Sequence, residues 1–468
     1  MSEFLRLSTT FGKASSFADE QPVRAEIFSV ERLEQHAESL AVAQRVTSEP
    51  RTGRAIMPRL SDNGRVLLDA YRTLAHTIRE ERSITPAAEW LVDNFHIVDE
   101  QLREIRDDLP DNYYRELPKL AEGHLAGYPR VLGIAWAYIA HTDSRFDAES
   151  LRRMVFAYQR VEPLTIGELW AIAISLRIVL VENLRRTAER IVRGRVSRER
   201  ADTLADQLLG LGAGQPVDAA KALSRLTDTR LSTAARVQLF QRLRDQDPAT
   251  TPALRWLEEQ LAAEATTAEE TVRREHQRQA EMNVTVRNVI TSMRLLSWFD
   301  WASFVESTSP VDSALGEYGV FADMDFATRD RYRHVVEKLA RAAGMSEVEV
   351  ARAAVAAGRT AADVPVAAPG AGADSASERE RQADPGYHLI GQGRRRFARS
   401  LGVREGLVGR VRRAAGSARL YVGAIGPAVR GSGGAVSPGG AAARSAALRA
   451  ISSSVSPESR ASSSTAWR

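Results

Sequence analysis

The chain has 468 residues, enough for two or more domains, and contains no cysteine. That excludes disulfides, thiolate-bound zinc and cysteine nucleophiles, and suits a reducing compartment. Charge is nearly balanced, with 64 basic against 60 acidic groups, and only Lys13, Lys119, Lys221 and Lys338 are lysines. So much arginine, alanine and glycine is what a GC-rich genome encodes, so no specific nucleic-acid partner is expected.

The opening MSEFLRLSTTFGK lacks the long apolar core of a signal peptide. Residues 1–60 are polar and patchy, with short helical pieces such as Ser29–Val46, and read as a loosely ordered lead-in. Residues 61–357 carry helical periodicity almost throughout and hardly any β-alternation. Helices are predicted over about 62–82, 86–109, 129–142, 147–160, 165–193, 197–211, 216–226, 230–245, 252–265, 267–298, 326–343 and 346–357. The breaks carry stop signals: DLPDN, AGYPR, VEPLT, LGAGQP and DQDPATTP.

Two of these segments are informative in detail. In AEWLVDNFHIVDEQLREIRDDLP, the residues Leu91, Phe95, Val98, Leu102, Ile105 and Leu109 form one apolar stripe. Thr85-Pro86 starts that helix and Pro110 stops it. His96, with Asp93, Asp99 and Glu100 around it, flanks the stripe and reads as a solvated face, because a zinc-protease helix needs the two histidines of HExxH. The second segment, Leu164–Arg186, is the best candidate for a membrane span. Its apolar run is broken by Glu168 and Arg177 and ends at Glu182 and Asn183, so it reads as a helix buried in protein.

The expected fold class is all-α: a multi-helix bundle or array followed by a disordered Gly/Ala/Ser/Arg-rich carboxy-terminal tail. No clean 34- or 40-residue repeat supports a solenoid. Residues 358–383 read as a flexible linker, 384–425 as a short helical join, and 426–468 as a disordered basic tail whose only acid is Glu458. Such a tail suits contact with anionic surfaces.

Motifs that carry chemistry are sparse. There is no GxxxxGK[ST] loop, GxSxG elbow or GxGxxG, and the eight histidines are scattered without ligand spacing. No catalytic residue, metal or cofactor is assigned. Asp323-Met-Asp325 fits the DxD pattern of metal-dependent glycosyltransferases, but it stands directly before a helical run, where Asp325 reads as an N-cap. Arg255-Trp256 lacks the glutamine of a QxxRW motif, since position 252 is proline. The most polar cluster beside an apolar helix is HTDSRFD. Asp143 and Arg145 are its candidates for binding a sugar or a partner, and His141 and Asp147 read equally as caps of a helix-ending turn. Trp136, nearby, is a candidate stacking surface if exposed and a core residue if not.

Several long blocks carry a resemblance. They are AEWLVDNFHIVDEQLREIRDDLP, YYRELPKLAEGHLAGYPRVLGIAWAYIAHTDSRFD, YQRVEPLTIGELWAIAISLRIVLVENLRRTAERIV, NVITSMRLLSWFDWASFVESTSPV and MDFATRDRYRHVVEKLAR, with DPGYHLIGQGRRRFARSLG after them. Over about residues 61–425 the chain resembles the amino-terminal region of cyclic β-1,2-glucan synthases, large bacterial inner-membrane enzymes. The resemblance implies a part in making cyclic β-1,2-linked glucan from UDP-glucose. It also implies as partners the remainder of the synthase or the growing glucan, and a cytoplasmic location. The family's transmembrane helices, glycosyltransferase core and phosphorylase-like domain have no counterpart here, so a truncated or frameshifted product with an out-of-frame tail is expected. Three readings follow. The first is a non-catalytic helical module, inactive alone. The second is a stand-alone transferase or hydrolase using Asp323 and Asp325. The third is a carbohydrate- or partner-binding scaffold.

Overall fold

The computed structural model describes residues 21–47, 53–80, 82–109, 111–209, 231–244, 251–363 and 373–403. The predicted helix at 216–226 and the basic tail lie outside them. The elements run α1 (Val30–Ala43), β1 (Val46–Thr47), α2 (Met57–Arg79), α3 (Pro86–Asp93), α4 (Phe95–Asp108), α5 (Asp111–Glu116), β2 (Lys119–Leu120), α6 (Arg130–His141) and α7 (Ala148–Val161). Then come α8 (Ile166–Leu208), α9 (Thr233–Arg244), α10 (Thr251–Ala263), α11 (Ala268–Trp298), α12 (Trp301–Thr308) and α13 (Pro310–Gly316). A 3₁₀ turn at Phe321–Asp323 leads to α14 (Phe326–Ala343), α15 (Glu347–Ala362), α16 (Ala373–Ala383), α17 (Pro385–Leu389) and α18 (Arg394–Ser400). The fold is all-α. Its only strands among the described residues, β1 and β2, pair antiparallel with Val46 opposite Leu120.

The axis of the molecule is α8. Its 43 residues give a length of about 65 Å at 1.5 Å per residue. From Leu169 to Glu189 every side chain is buried, the apolar majority against the surrounding helices and charged ones such as Arg177 and Glu182 in ion pairs. α2, α4, α6, α11 and α12 pack round it, and α1 lies on α7. No helix of the described residues is long and apolar enough to cross a membrane. Beyond Arg198 the end of α8 joins α9 and α10 in a separate small core of Ala205, Leu239, Leu243, Leu257 and Leu261.

Several expectations need correction. The 86–109 helix is two helices. Asn94 donates from Nδ2 to the Trp90 carbonyl at 2.9 Å, and this side-chain bond competes with the backbone ladder at the junction. The predicted 165–193 and 197–211 helices are one. Gly194 weakens a helix by only about 1 kcal/mol, and Arg193–Glu189 and Arg195–Glu199 pairs support the helix on either side of it. The part of the lead-in from Gln21 to Thr47 is ordered by packing rather than loose: Val23, Leu33, Ala37 and Ala41 belong to the main core. Within the expected linker, α15 runs on to Ala362 and Ala373–Ala383 is helical.

Gly344 ends α14 in the left-handed region at φ 69°, with nothing within 4 Å of a β-carbon added there. Gly344→Ala is therefore expected to cost about 1 kcal/mol, entirely as backbone strain, read as a lowered denaturation midpoint.

Candidate functional site

A cleft of about 270 Å³ opens where three chain turns converge. α5 and the residues after it supply Tyr113, Glu116, Leu117 and Pro118; the turn into α8 supplies Pro163, Leu164 and Thr165; the α14–α15 turn supplies Glu337, Arg341 and Glu347. Each wall is fixed by local sequence logic. Thr165 and Glu168 form a capping box at the start of α8, and Ser346 and Glu349 form another at the start of α15. The Tyr113 hydroxyl donates to the Gly167 carbonyl at 2.6 Å, which holds its ring on the cleft.

The charges in the cleft are unevenly matched. Arg341 Nη2 donates to Glu337 at 2.8 Å and to Glu116 at 3.1 Å. Glu347 Oε2 accepts the Ile166 backbone N–H at 2.7 Å, tying α15 to the first turn of α8. Burial pushes the Glu347 carboxyl up to about 7; the Ile166 N–H opposes this, while the charges of Glu337 and Glu168 add to it. Glu337 is also pushed up, chiefly by burial. Carboxyl groups so perturbed in a concave site make it a candidate functional position.

The sign of the resulting pH effect is set by the raised value. Below about 4.5 Glu347 is protonated in both folded and unfolded chain and contributes nothing. Between about 4.5 and 7 only the unfolded chain ionises it, so stability falls as pH rises, and the loss is complete above 7. Glu347→Gln should lack this fall, so the gap between the two unfolding free energies widens in the variant's favour from pH 5 to 8. Parallel urea curves at all pH values would count against the assignment.

The residues singled out from sequence lie elsewhere. Asp143 and Ser144, both at positive φ (49° and 63°), make the turn after α6, and both are buried. Asp143 Oδ1 accepts from Thr285 Oγ1 at 2.9 Å, and its carbonyl accepts from Asn288 at 3.0 Å. Ser144 Oγ accepts from Asn183 Nδ2 at 2.7 Å. This turn therefore joins α6, α8 and α11. His141 donates from Nδ1 to the Glu26 carbonyl at 2.8 Å, and its ring stacks on Phe28 with centroids 3.8 Å apart. Asp147 caps α7 by accepting from Ser150 N at 2.8 Å. Arg145 is exposed. Trp136 is half-buried, its ring beneath the Arg186 guanidinium at 5.0 Å. Asp325 caps α14 through Thr328 N at 2.7 Å, and Asp323 lies exposed in the preceding turn. His96 is exposed beside the Arg103–Asp99 pair. Among the described residues no group of three or more His, Asp or Glu side chains is arranged to hold a metal.

The cleft residues escaped the sequence reading because they come from three distant segments. The one local trace was SEVE at Ser346–Glu349, which announces a capped helix start but not the neighbour that Glu347 meets.

No protein-family model matches the chain. Over 294 residues, 63% of the chain, it is 40% identical to cyclic beta-(1,2)-glucan synthase NdvB of Rhizobium meliloti (strain 1021). The chain spans about a tenth (10%) of the length of that relative. Over this region the chain is thus related to a segment of a cyclic β-(1,2)-glucan synthase.

Proposed function

We propose that this chain serves a cyclic β-(1,2)-glucan-forming enzyme as a non-catalytic helical module, acting on the cytoplasmic side of the membrane in assembly, regulation or positioning of the growing chain. The observation that carries the relation is the 40% identity over 294 residues to one segment of such a synthase. The non-catalytic part of the reading is supported by what the polar residues do. Asp143, His141, Asp147 and Asp325 are each engaged in turn, cap or interhelix bonds, which is the work of a scaffold.

The test is turnover. The purified chain, given UDP-glucose with Mg²⁺ or Mn²⁺, is expected to release no UDP above a protein-free control. Asp325→Ala is expected to lower the melting temperature modestly, through loss of the α14 cap, and to change nothing else. Metal-dependent UDP release that disappears in Asp325→Ala would instead establish an autonomous transferase.

A further inference from the structure

We propose that the cleft between the start of α8 and the α14–α15 turn binds a neutral, hydroxyl-rich ring, one sugar residue of a glucan being the class that fits. This rests on the reading above that the chain serves a glucan-forming enzyme, and adds to it a site and a ligand class.

The cleft has two kinds of wall. One is apolar, made by Leu117, Pro118, Pro163, Leu164 and Val348 with the fixed Tyr113 ring beside them. The other is a polar edge of Glu116, Glu337, Arg341 and Glu347. A pyranose has the same division, with C–H faces that lie against apolar or aromatic surface and a rim of hydroxyls that donate and accept.

The polar edge discriminates between charge classes. An anion would face three carboxyl groups with one guanidinium for support. A cation would lie against Arg341, which already pairs with two of those carboxyls. A neutral hydroxylated ligand meets neither penalty. It can also use what the internal bonds leave over. Arg341 reaches its two carboxylates through Nη2, leaving the Nη1 and Nε hydrogens; Glu347 holds the Ile166 N–H with Oε2, leaving Oε1. The volume of about 270 Å³ stands just below the range of about 300–1,000 Å³ for small-molecule sites, which favours a single ring over a longer segment.

Saturation-transfer NMR on the full chain tests this, with the β-1,2-linked glucose disaccharide as probe. A saturable signal is expected. Arg341→Ala should weaken binding at least tenfold, and Val348→Phe, which fills the cleft, should abolish the signal. Arg352→Ala, outside the cleft, should leave binding unchanged. Circular dichroism checks that each variant is folded. Glucose 1-phosphate and glucosamine should each bind at least tenfold more weakly than glucose. Absence of a saturable signal, binding that survives in both folded cleft variants, or tighter binding of either charged sugar overturns the proposal. The two failures separate: UDP release overturns the scaffold reading and leaves the cleft, whereas a missing sugar signal overturns the cleft and leaves the scaffold.

Discussion

Replacing Glu182 by alanine is expected to destabilise the chain by about 3–5 kcal/mol, the cost of stranding buried charge. Glu182 is 2% exposed and sits at the centre of a guanidinium cluster. Arg59 grips it bidentately, with Nε at 3.0 Å and Nη2 at 2.7 Å; Arg185 and Arg186 reach Oε1 at 2.9 Å and 2.7 Å; Asn63 donates to Oε2 at 2.8 Å. Burial alone would push this carboxyl up. The Arg59 hydrogen bonds and the charges of Arg59, Arg185 and Arg186 outweigh burial and hold it well below the ordinary carboxylate range. Without it, three guanidiniums remain close together, two of them largely buried, with Glu189 as the partner left to Arg185.

The pH dependence follows from the lowered value. The stability Glu182 supplies is fully present above its unfolded value of 4.5 and is lost as pH falls below that. Glu182→Gln keeps the shape without the charge, so its deficit against the natural chain should be large at pH 7 and shrink progressively below pH 4.5. Urea denaturation at the two pH values reads both quantities. A deficit under about 1 kcal/mol at neutral pH, the worth of an exposed pair, would show that water reaches the cluster.

This cluster also explains what the sequence could and could not reveal. The segment Leu164–Arg186 looked like a membrane span spoiled by polar residues, and each of those residues has a distant partner. Glu168 meets Arg130; Arg177 meets Glu104 at 3.0 Å; Asn183 takes the Val23 N–H at 2.7 Å. The apolar periodicity gave the helices because one face of each is read from its own neighbours. The pairings join positions on different helices or segments, as far apart as Arg59 and Glu182, and nothing local encodes them. Lys119 is illegible for a different reason, since its partners are near in sequence but its burial comes from the packing around it. Only 1% exposed, it donates to the Leu117 carbonyl at 2.9 Å and to that of Tyr114, and burial brings its pKa down to about 8. A lone lysine between Pro118 and Leu120 carries no sign of this.

The candidate site was illegible for a related reason. Asp143 and Arg145 stood out because they are polar beside an apolar helix, yet the Asp143 carboxylate serves a buried turn at positive φ, accepting from Thr285 with Arg24 at 3.6 Å. The cleft residues stood out in nothing. Glu337 and Arg341 stand four apart on α14 and pair with each other; what distinguishes them is the turn into α8 on the other side.

The second large effect concerns that turn. Arg130 and Glu168 are 3% and 0% exposed and joined bidentately, Nε to Oε1 at 2.8 Å and Nη2 to Oε2 at 2.6 Å. Glu168 also accepts the Thr165 N–H at 3.0 Å, so one carboxylate both pairs with α6 and closes the capping box of α8. Glu168→Ala should cost about 3–5 kcal/mol for the stranded guanidinium and about 1 kcal/mol more for the cap. Arg130→Met should likewise cost several kcal/mol, because Glu168 then stays buried with only Thr165 to satisfy it. The double variant Arg130→Met, Glu168→Leu removes both charges and keeps apolar volume, so it should recover most of the loss and fall short of the natural chain by about the cap, roughly 1 kcal/mol. Denaturation of the four chains gives the coupling energy directly. If the double variant is as unstable as the two single losses added together, the charges do not act as a pair. If it recovers as expected, the pair sets geometry more than stability. Sugar binding then becomes the sensitive readout, because Thr165 lines the cleft and is held by Glu168 through the capping box.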